Sequence, residues 1–440
     1  MATTDKYDRQ LRLWGANGQR RLMTSHILLI HANGVGAETL KNLVLPGVGN
    51  FTILDDYIVN HNDLSANFFV TAESVGKPRA EVVRDLLCEM NPDVNGHARV
   101  ANFQNILQTE PSFFESFQLI ITANLPESHV LPLSQLCFEK RINLVMLRSF
   151  GLIGAIRLQL TTHSIIEAKK DQTSFDLRIC DSFPALADYC SNYPDFQSLN
   201  SMEHAHIPFI VILYRALQHW KESHKGNVPS TAADKKEFQE VVKRLSHNLN
   251  NEVNFQEALK DYYYAYKRST PSSELQALID KQRQRQLGKD DEAFNFLVRA
   301  LQIFLEQNNS IVPLSGLLPD MTSTTDSYVQ LQSIFHEKAA QDRALFKQIL
   351  LQQLQHVGTD LQISEEDVEI FCKNCQTVAQ IETTSFHDEV VNGAESSTAE
   401  TIIDVLQNDL YEDPAQTPLI WYLGLRAVDA FYQKYARWPG

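Results

Sequence analysis

Residues 28–47 read "LLIHANGVGAETLKNLVLPG", a short apolar run, a turn, and a stretch with helical periodicity. Nucleotide-binding α/β domains open with such a strand, turn and helix, and their turn follows G-x-G-x-x-G. The first glycine makes the tight turn, the second lets backbone approach phosphate, and the third lets the helix pack on the strand. On this chain those positions are His31, Asn33 and Gly36. The packing glycine is kept; the two that serve turn and phosphate are replaced. Asn33 tolerates a left-handed backbone, but its side chain fills space that a phosphate needs. The stretch therefore predicts a nucleotide-type scaffold with a blocked phosphate site. A dehydrogenase reading, with Asp55 gripping a ribose at the end of the second strand, is disfavoured by the same substitutions.

The pattern continues outward. "FTILDD" (51–56), "HARV" (97–100), "FQLIITA" (117–123) and "INLVML" (142–147) read as strands. Between them, "KPRAEVVRDLLCEM" (77–90) carries Val82, Val83, Leu86 and Leu87 on one helical stripe, with Pro78 in its first turn. "SHVLPLSQLCFEK" (128–140) reads as another helix, and "GLIGAIRLQL" (151–160) as an antiparallel continuation. This alternation predicts an α/β domain, a Rossmann-like, mostly parallel sheet, over residues 1–165. From 166 to 440 the periodicity is mainly helical, as in Ile210, Leu213, Leu217 and Trp220, or in "DSYVQLQSIFHEKAAQDRALFKQILLQQLQ" (326–355).

Composition bounds the function. Of 440 residues, 43% are hydrophobic and 21% charged, an ordinary globular balance with room for sizeable cores. The net charge of −15 argues against nucleic acid or an anionic membrane as a partner. "IPFIVILYRAL" (207–217) is interrupted by Arg215 and too short to span a bilayer. The polar start "MATTDKYDRQ" predicts no secretory signal, and six irregularly spaced cysteines suit a reducing cytoplasm or nucleus. "CKNC" (372–375) lacks a second ligand pair for structural zinc, and His204 and His206 of "HAH", two residues apart, do not share a helix face. No metal site is expected from these.

"KYDRQLRLWG" (6–15) and "KNLVLPGVGNFTILDD" (41–56) resemble the adenylating enzymes that activate ubiquitin-like proteins and bacterial sulfur carriers. "LPESHVLPL" (125–133), "RSFGLIGAIRL" (148–158), "AHIPFIVI" (205–212), "LLPDM" (317–321) and "LRAVDAFYQKYARWPG" (425–440) extend the resemblance to regulatory subunits of heterodimeric neddylation-activating enzymes. The resemblance implies a catalytically degraded adenylation fold. Where active members hold ATP, this chain has His31, Asn33, Tyr57, Ala66 (within Ser65, Ala66, Asn67) and Pro126, with Arg79 in place of a lysine. Together these remove the cation that neutralises phosphate and the carboxylate that holds magnesium.

The resemblance further implies a non-catalytic subunit that binds no cofactor, ATP and magnesium residing in a catalytic partner. That partner would adenylate a ubiquitin-like modifier and pass it as a thioester toward a conjugating enzyme. Arg9 would be donated in trans to the partner's ATP, and Cys180, Cys190, Cys372 and Cys375 lack the setting of a thioester cysteine. The expected interface includes Gly47, Asp55, Asn60, Leu64, Asp320, Tyr328 and Ser333. Such subunits continue past the position of Gly440 and return to the adenylation fold; the expectation is that this returning segment is absent. Alternatives are a SUMO-type subunit, a self-sufficient adenylyltransferase or oxidoreductase, and a scaffold in which Arg9 has no chemical part.

Overall fold

The computed structural model describes residues 6–167, 175–391, 403–404, 407 and 418–439. It divides into two units, Met1–His163 with Ile381–Gly440, and Ser164–Gln380. In the first unit, strands β1 (His26–Ile30), β2 (Asn50–Leu54), β3 (Asn95–Arg99), β4 (Leu119–Ala123), β5 (Asn143–Phe150) and β6 (Ile153–Gln159) form one sheet, ordered β3-β2-β1-β4-β5-β6. All neighbours are parallel except β5 and β6, which pair antiparallel as the sequence predicts. Strand order reverses direction between β1 and β4, so a crevice opens at their carboxyl ends, the usual ligand position in such sheets.

Helices α1 (Asp8–Thr24), α2 (Gly34–Val44), α3 (Arg79–Met90), α4 (Phe103–Thr109) and α5 (Glu127–Glu139) belong to the same unit. The strands are apolar on both faces because helices cover both. Leu29 and Ile53 point into a cluster with Leu40, Val83 and Leu87. Their neighbours Leu28 and Leu54 point the other way, among Phe114, Leu133 and Leu144. Pro132 sits inside α5, in its second turn.

The second unit is helical. Its helices include α6 (Phe209–Ser223), α7 (Ala293–Gln307) and α8 (Thr325–Val357). The 326–355 pattern is realised as one helix, opened by the Thr324 side chain accepting from Ser327 N–H and closed by Gly358 at φ 69°. A two-stranded sheet pairs β7 (His163–Ile165) with β8 (Ala379–Ile381). Among the described residues no helix is long and apolar enough to cross a membrane.

One expectation is corrected. The helical domain does not run from 166 to 440, because residues 381–440 group with the first unit. There Phe386 enters the core beside Leu133 and Leu144, and helix α9 (Pro418–Tyr435) lays Asp429 against Arg148 at 2.6 Å. A return to the α/β unit is thus made within this chain by residues 381–440. Its physical basis is long-range: residues 281 positions apart in the chain pair, which no local pattern reveals.

Candidate functional site

The crevice between β1 and β4 leads to a cavity of about 210 Å³, whose lining includes His31, Asp56, Asn102, Asn124, His129 and Trp438. The turn after β1 forms one side of it. His31, not Asn33, adopts the left-handed backbone, at φ 74°. The turn therefore keeps the geometry of its lost glycine, with strain placed on a histidine whose Nδ1 lies 3.2 Å from Ala123 O. Asn33 is extended, at φ −70° and ψ 179°, and caps α2: its Oδ1 accepts from Gly36 N–H at 3.0 Å and its Nδ2 donates to Ala123 O at 3.1 Å. The left-handed backbone that Asn33 could tolerate is thus taken by His31, and the Asn33 side chain folds over the start of α2. The N-terminus of a helix attracts anions through free N–H groups; here a side chain of the chain itself takes one of them.

The roof of the turn is filled as well. A Cβ on Gly34 would stand 2.1 Å from Ala66 O, so the 65–67 segment folds directly onto the start of α2. Buried Asn67 fastens it, donating to Ala32 O at 3.0 Å and accepting from Phe69 N–H at 3.0 Å. Gly36 plays the packing role expected of it: a Cβ there would meet His31 O at 2.7 Å and the Ala123 side chain at 3.0 Å.

Arg79 is consumed internally. It is 3% exposed, and its Nε and Nη2 donate to Asp55 at 2.8 and 3.3 Å, with Asp63 at 3.4 Å. Its guanidinium lies 4.3 Å from the Tyr57 ring centre. Asp55 also accepts from Ala32 N–H at 2.8 Å and Tyr57 N–H at 3.0 Å. A guanidinium held this way offers nothing to a phosphate. At the other lip, Pro126 is the buried residue before α5 and supplies no ligand atom. The N-terminus of α5 is taken by Asp429, which accepts from Glu127 N–H at 3.1 Å while Arg148 pairs with it at 2.6 and 2.9 Å. Burial lowers the pKa of both His31 and His129, which keeps these rings neutral, so the cavity wall carries no cation from them.

Arg9 has the opposite setting. Around it, Tyr7 is 2% exposed and its hydroxyl accepts from Asn91 at 3.1 Å; Lys6 donates to Asn91 and Asp93, both at 2.6 Å. Across the Gly15 break (φ 72°), Trp14 donates to Gln19 at 3.0 Å and Gln19 to Pro46 O at 2.7 Å. Arg9 itself, in the first turn of α1, is exposed and has no ion-pair or hydrogen-bond partner among the described residues.

The expected interface residues divide. Gly47 and Asp55 are buried, which corrects their assignment to a partner surface. Gly47, at φ 92°, leaves room for the Tyr7 ring, 2.8 Å from where a Cβ would be. Leu64, Asp320 and Ser333 are exposed, and Asn60 and Tyr328 half-buried. The sequence missed Phe68, 76% exposed, and Asp429; the first had an apolar signal, the second none. Cys372 and Cys375 are buried, and burial pushes the Cys375 thiol up to about 12. His206 bonds to Met202 O, while His204 meets His247 and Glu252.

Residues 7–178 match the ThiF family. Over 442 residues the chain is 34% identical to the NEDD8-activating enzyme E1 regulatory subunit of Xenopus laevis, covering 99% of this chain and 81% of that protein. It is 36% identical over 437 residues to the NEDD8-activating enzyme E1 regulatory subunit AXL of Arabidopsis thaliana, covering 99% and 82%. The Danio rerio regulatory subunit is 33% identical over 442 residues, covering 99% and 81%. These relatives do not favour the SUMO-type or self-sufficient readings. With a ThiF-type sheet, a plugged turn and a match along nearly its whole length, the chain belongs to the family of NEDD8-activating enzyme E1 regulatory subunits.

Proposed function

We propose that this chain is the non-catalytic subunit of a heterodimer whose other subunit holds ATP and magnesium, adenylates the modifier and carries it as a thioester toward a conjugating enzyme. The observation that carries this reading is internal consumption of every phosphate-binding group: Asn33 on the α2 N-terminus, Asp55 on Arg79, Asp429 on the α5 N-terminus. An adenylation site needs cations and free N–H groups at the triphosphate. A cytoplasmic or nuclear location fits six cysteines that are all free thiols.

Arg9 is the group this subunit contributes to the chemistry. Anchored on both sides and unpartnered, its planar guanidinium is prearranged to meet phosphate oxygens supplied from outside. Arginines donated in trans to phosphoryl groups are worth on the order of 10³ to 10⁵ in rate. The partner surface includes the 57–68 segment, which exposes Tyr57, Ile58, Leu64 and Phe68, together with Asp320, Tyr328 and Ser333.

The test is pyrophosphate exchange by the reconstituted heterodimer. Arg9→Ala is expected to assemble normally and to slow exchange at limiting ATP by on the order of 10³-fold, the lower end of the range such arginines show. Unchanged exchange would leave Arg9 a surface charge on a scaffold. Micromolar MgATP binding by the isolated chain would refute the non-catalytic reading.

A further inference from the structure

In the helical unit the fold brings together His204, His247 and Glu252, with one donor atom of each within 4.8 Å of the other two. His204 ends the short helix Ser201–His204, and Glu252 precedes the helix Val253–Lys260, 48 positions later. His204 is fully buried, with Nδ1 2.7 Å from Glu252 Oε1. Its ring lies between Phe255, stacked at 5.1 Å, and His247, stacked at 3.8 Å, with the Phe196 edge at 6.0 Å. Asn254 fixes the backbone beneath, donating to His204 O at 2.9 Å and Ile207 O at 3.0 Å.

Glu252 is held by several donors: its Oε2 accepts from the Ser246 hydroxyl, from the His247 backbone N–H at 3.1 Å and from the Asn248 backbone N–H at 3.3 Å. Two features are left over. His204 Nε2 is buried with no hydrogen-bond partner, a rare state for a buried polar atom. His247 is exposed, and its ring nitrogens have no hydrogen-bond partner among the described residues.

We propose that His204, His247 and Glu252 form a binding site for a divalent transition metal of the zinc type, with a remaining position open to water beside His247. Two imidazoles and a carboxylate are the donor set such ions take; magnesium and calcium want oxygen donors. Metal–ligand bonds of about 2.0–2.2 Å require donors roughly 3.3 Å apart. The exposed His247 ring supplies the adjustment, by turning out of its stack on His204. His204 Nδ1 and Glu252 Oε1, 2.7 Å apart, exchange their hydrogen bond for the ion: the ring proton moves from Nδ1 to the unpartnered Nε2, and the pair opens by about 0.6 Å. One negative charge and two neutral rings leave a divalent ion partly compensated, and the two phenylalanines keep bulk water off the buried side. The site lies outside the α/β unit, so it is independent of the degraded nucleotide crevice.

Chelator-treated full-length chain titrated with Co²⁺ tests this. The expected result is a saturable visible absorption at one equivalent, displaced by Zn²⁺, without the intense near-ultraviolet band of cobalt–thiolate bonds. His247→Ala, at an exposed position, is expected to match the parent in circular dichroism and melting temperature in EDTA while binding Co²⁺ at least about tenfold more weakly. No one-equivalent binding, equal binding by His247→Ala, or a thiolate band placing the ion on the cysteines would each overturn the proposal.

Discussion

His31 and Asn33 stand where a phosphate loop has glycines, and the turn keeps its shape around them. His31 keeps the left-handed turn at a steric cost of about 1–2 kcal/mol that glycine would not carry. Asn33 converts an anion site into a helix cap, a contribution of about 1 kcal/mol. Restoring both glycines, His31→Gly with Asn33→Gly, is expected to change stability by no more than about 1 kcal/mol, because relief of strain offsets loss of the cap. Calorimetry should still find no MgATP binding, since Arg79 remains on Asp55 and Ala66 O still covers the turn. Asp55→Ala removes the partner of a buried guanidinium and is expected to destabilise by about 3–5 kcal/mol in denaturant unfolding. The cysteines give a further check. Burial pushes the thiols of Cys137, Cys190 and Cys375 up to about 12. At pH 8 their thiolate fraction is then on the order of 10⁻⁴, because each unit is a factor of ten. A thiol reagent should therefore leave these three unlabelled in the native chain, and labelling that precedes unfolding would contradict their burial.

At the scale of elements, α9 is secured by charges rather than by a deep apolar face. Of its residues only Leu425 and Asp429 are buried. Asp429 pairs with Arg148 and caps α5, while Arg426 pairs with Glu127. Burial raises the Glu127 pKa against the opposing pull of Arg426. A folded pKa above the unfolded one means that this carboxyl contributes stability below the unfolded value and loses it as pH rises through the folded one. Asp429→Asn keeps the shape and removes the charge that Arg148 faces. Hydrogen exchange in Pro418–Tyr435 should then accelerate at least about tenfold, while β1 and β4 keep their protection. Uniform loss of protection would mean that α9 and the sheet open together. The α2 element shows the complementary case: its packing was legible, since Gly36 at the third glycine position meets Ala123 as the motif requires.

For the whole molecule, two units with separate cores divide the roles. The α/β unit keeps a crevice at the reversal of strand order but fills it with its own side chains, and it leaves Arg9 facing outward. The helical unit carries two apolar clusters of its own and the His204–His247–Glu252 group. Sheet packing does not depend on ligand contacts, so a fold of this kind persists whatever its crevice holds.

Periodicity and spacing determined the parallel sheet, the antiparallel β6 and the helical character of α8, because each is set by residues within one element or one turn. Tertiary structure alone decided that His31 rather than Asn33 takes the left-handed turn, that Asp55 and Gly47 are interior, that residues 381–440 rejoin the first unit, and that His204 meets Glu252 instead of pairing with His206. Each of these depends on contacts between residues far apart in the chain, where burial and charge pairing act on positions whose local pattern carries no trace of their partner.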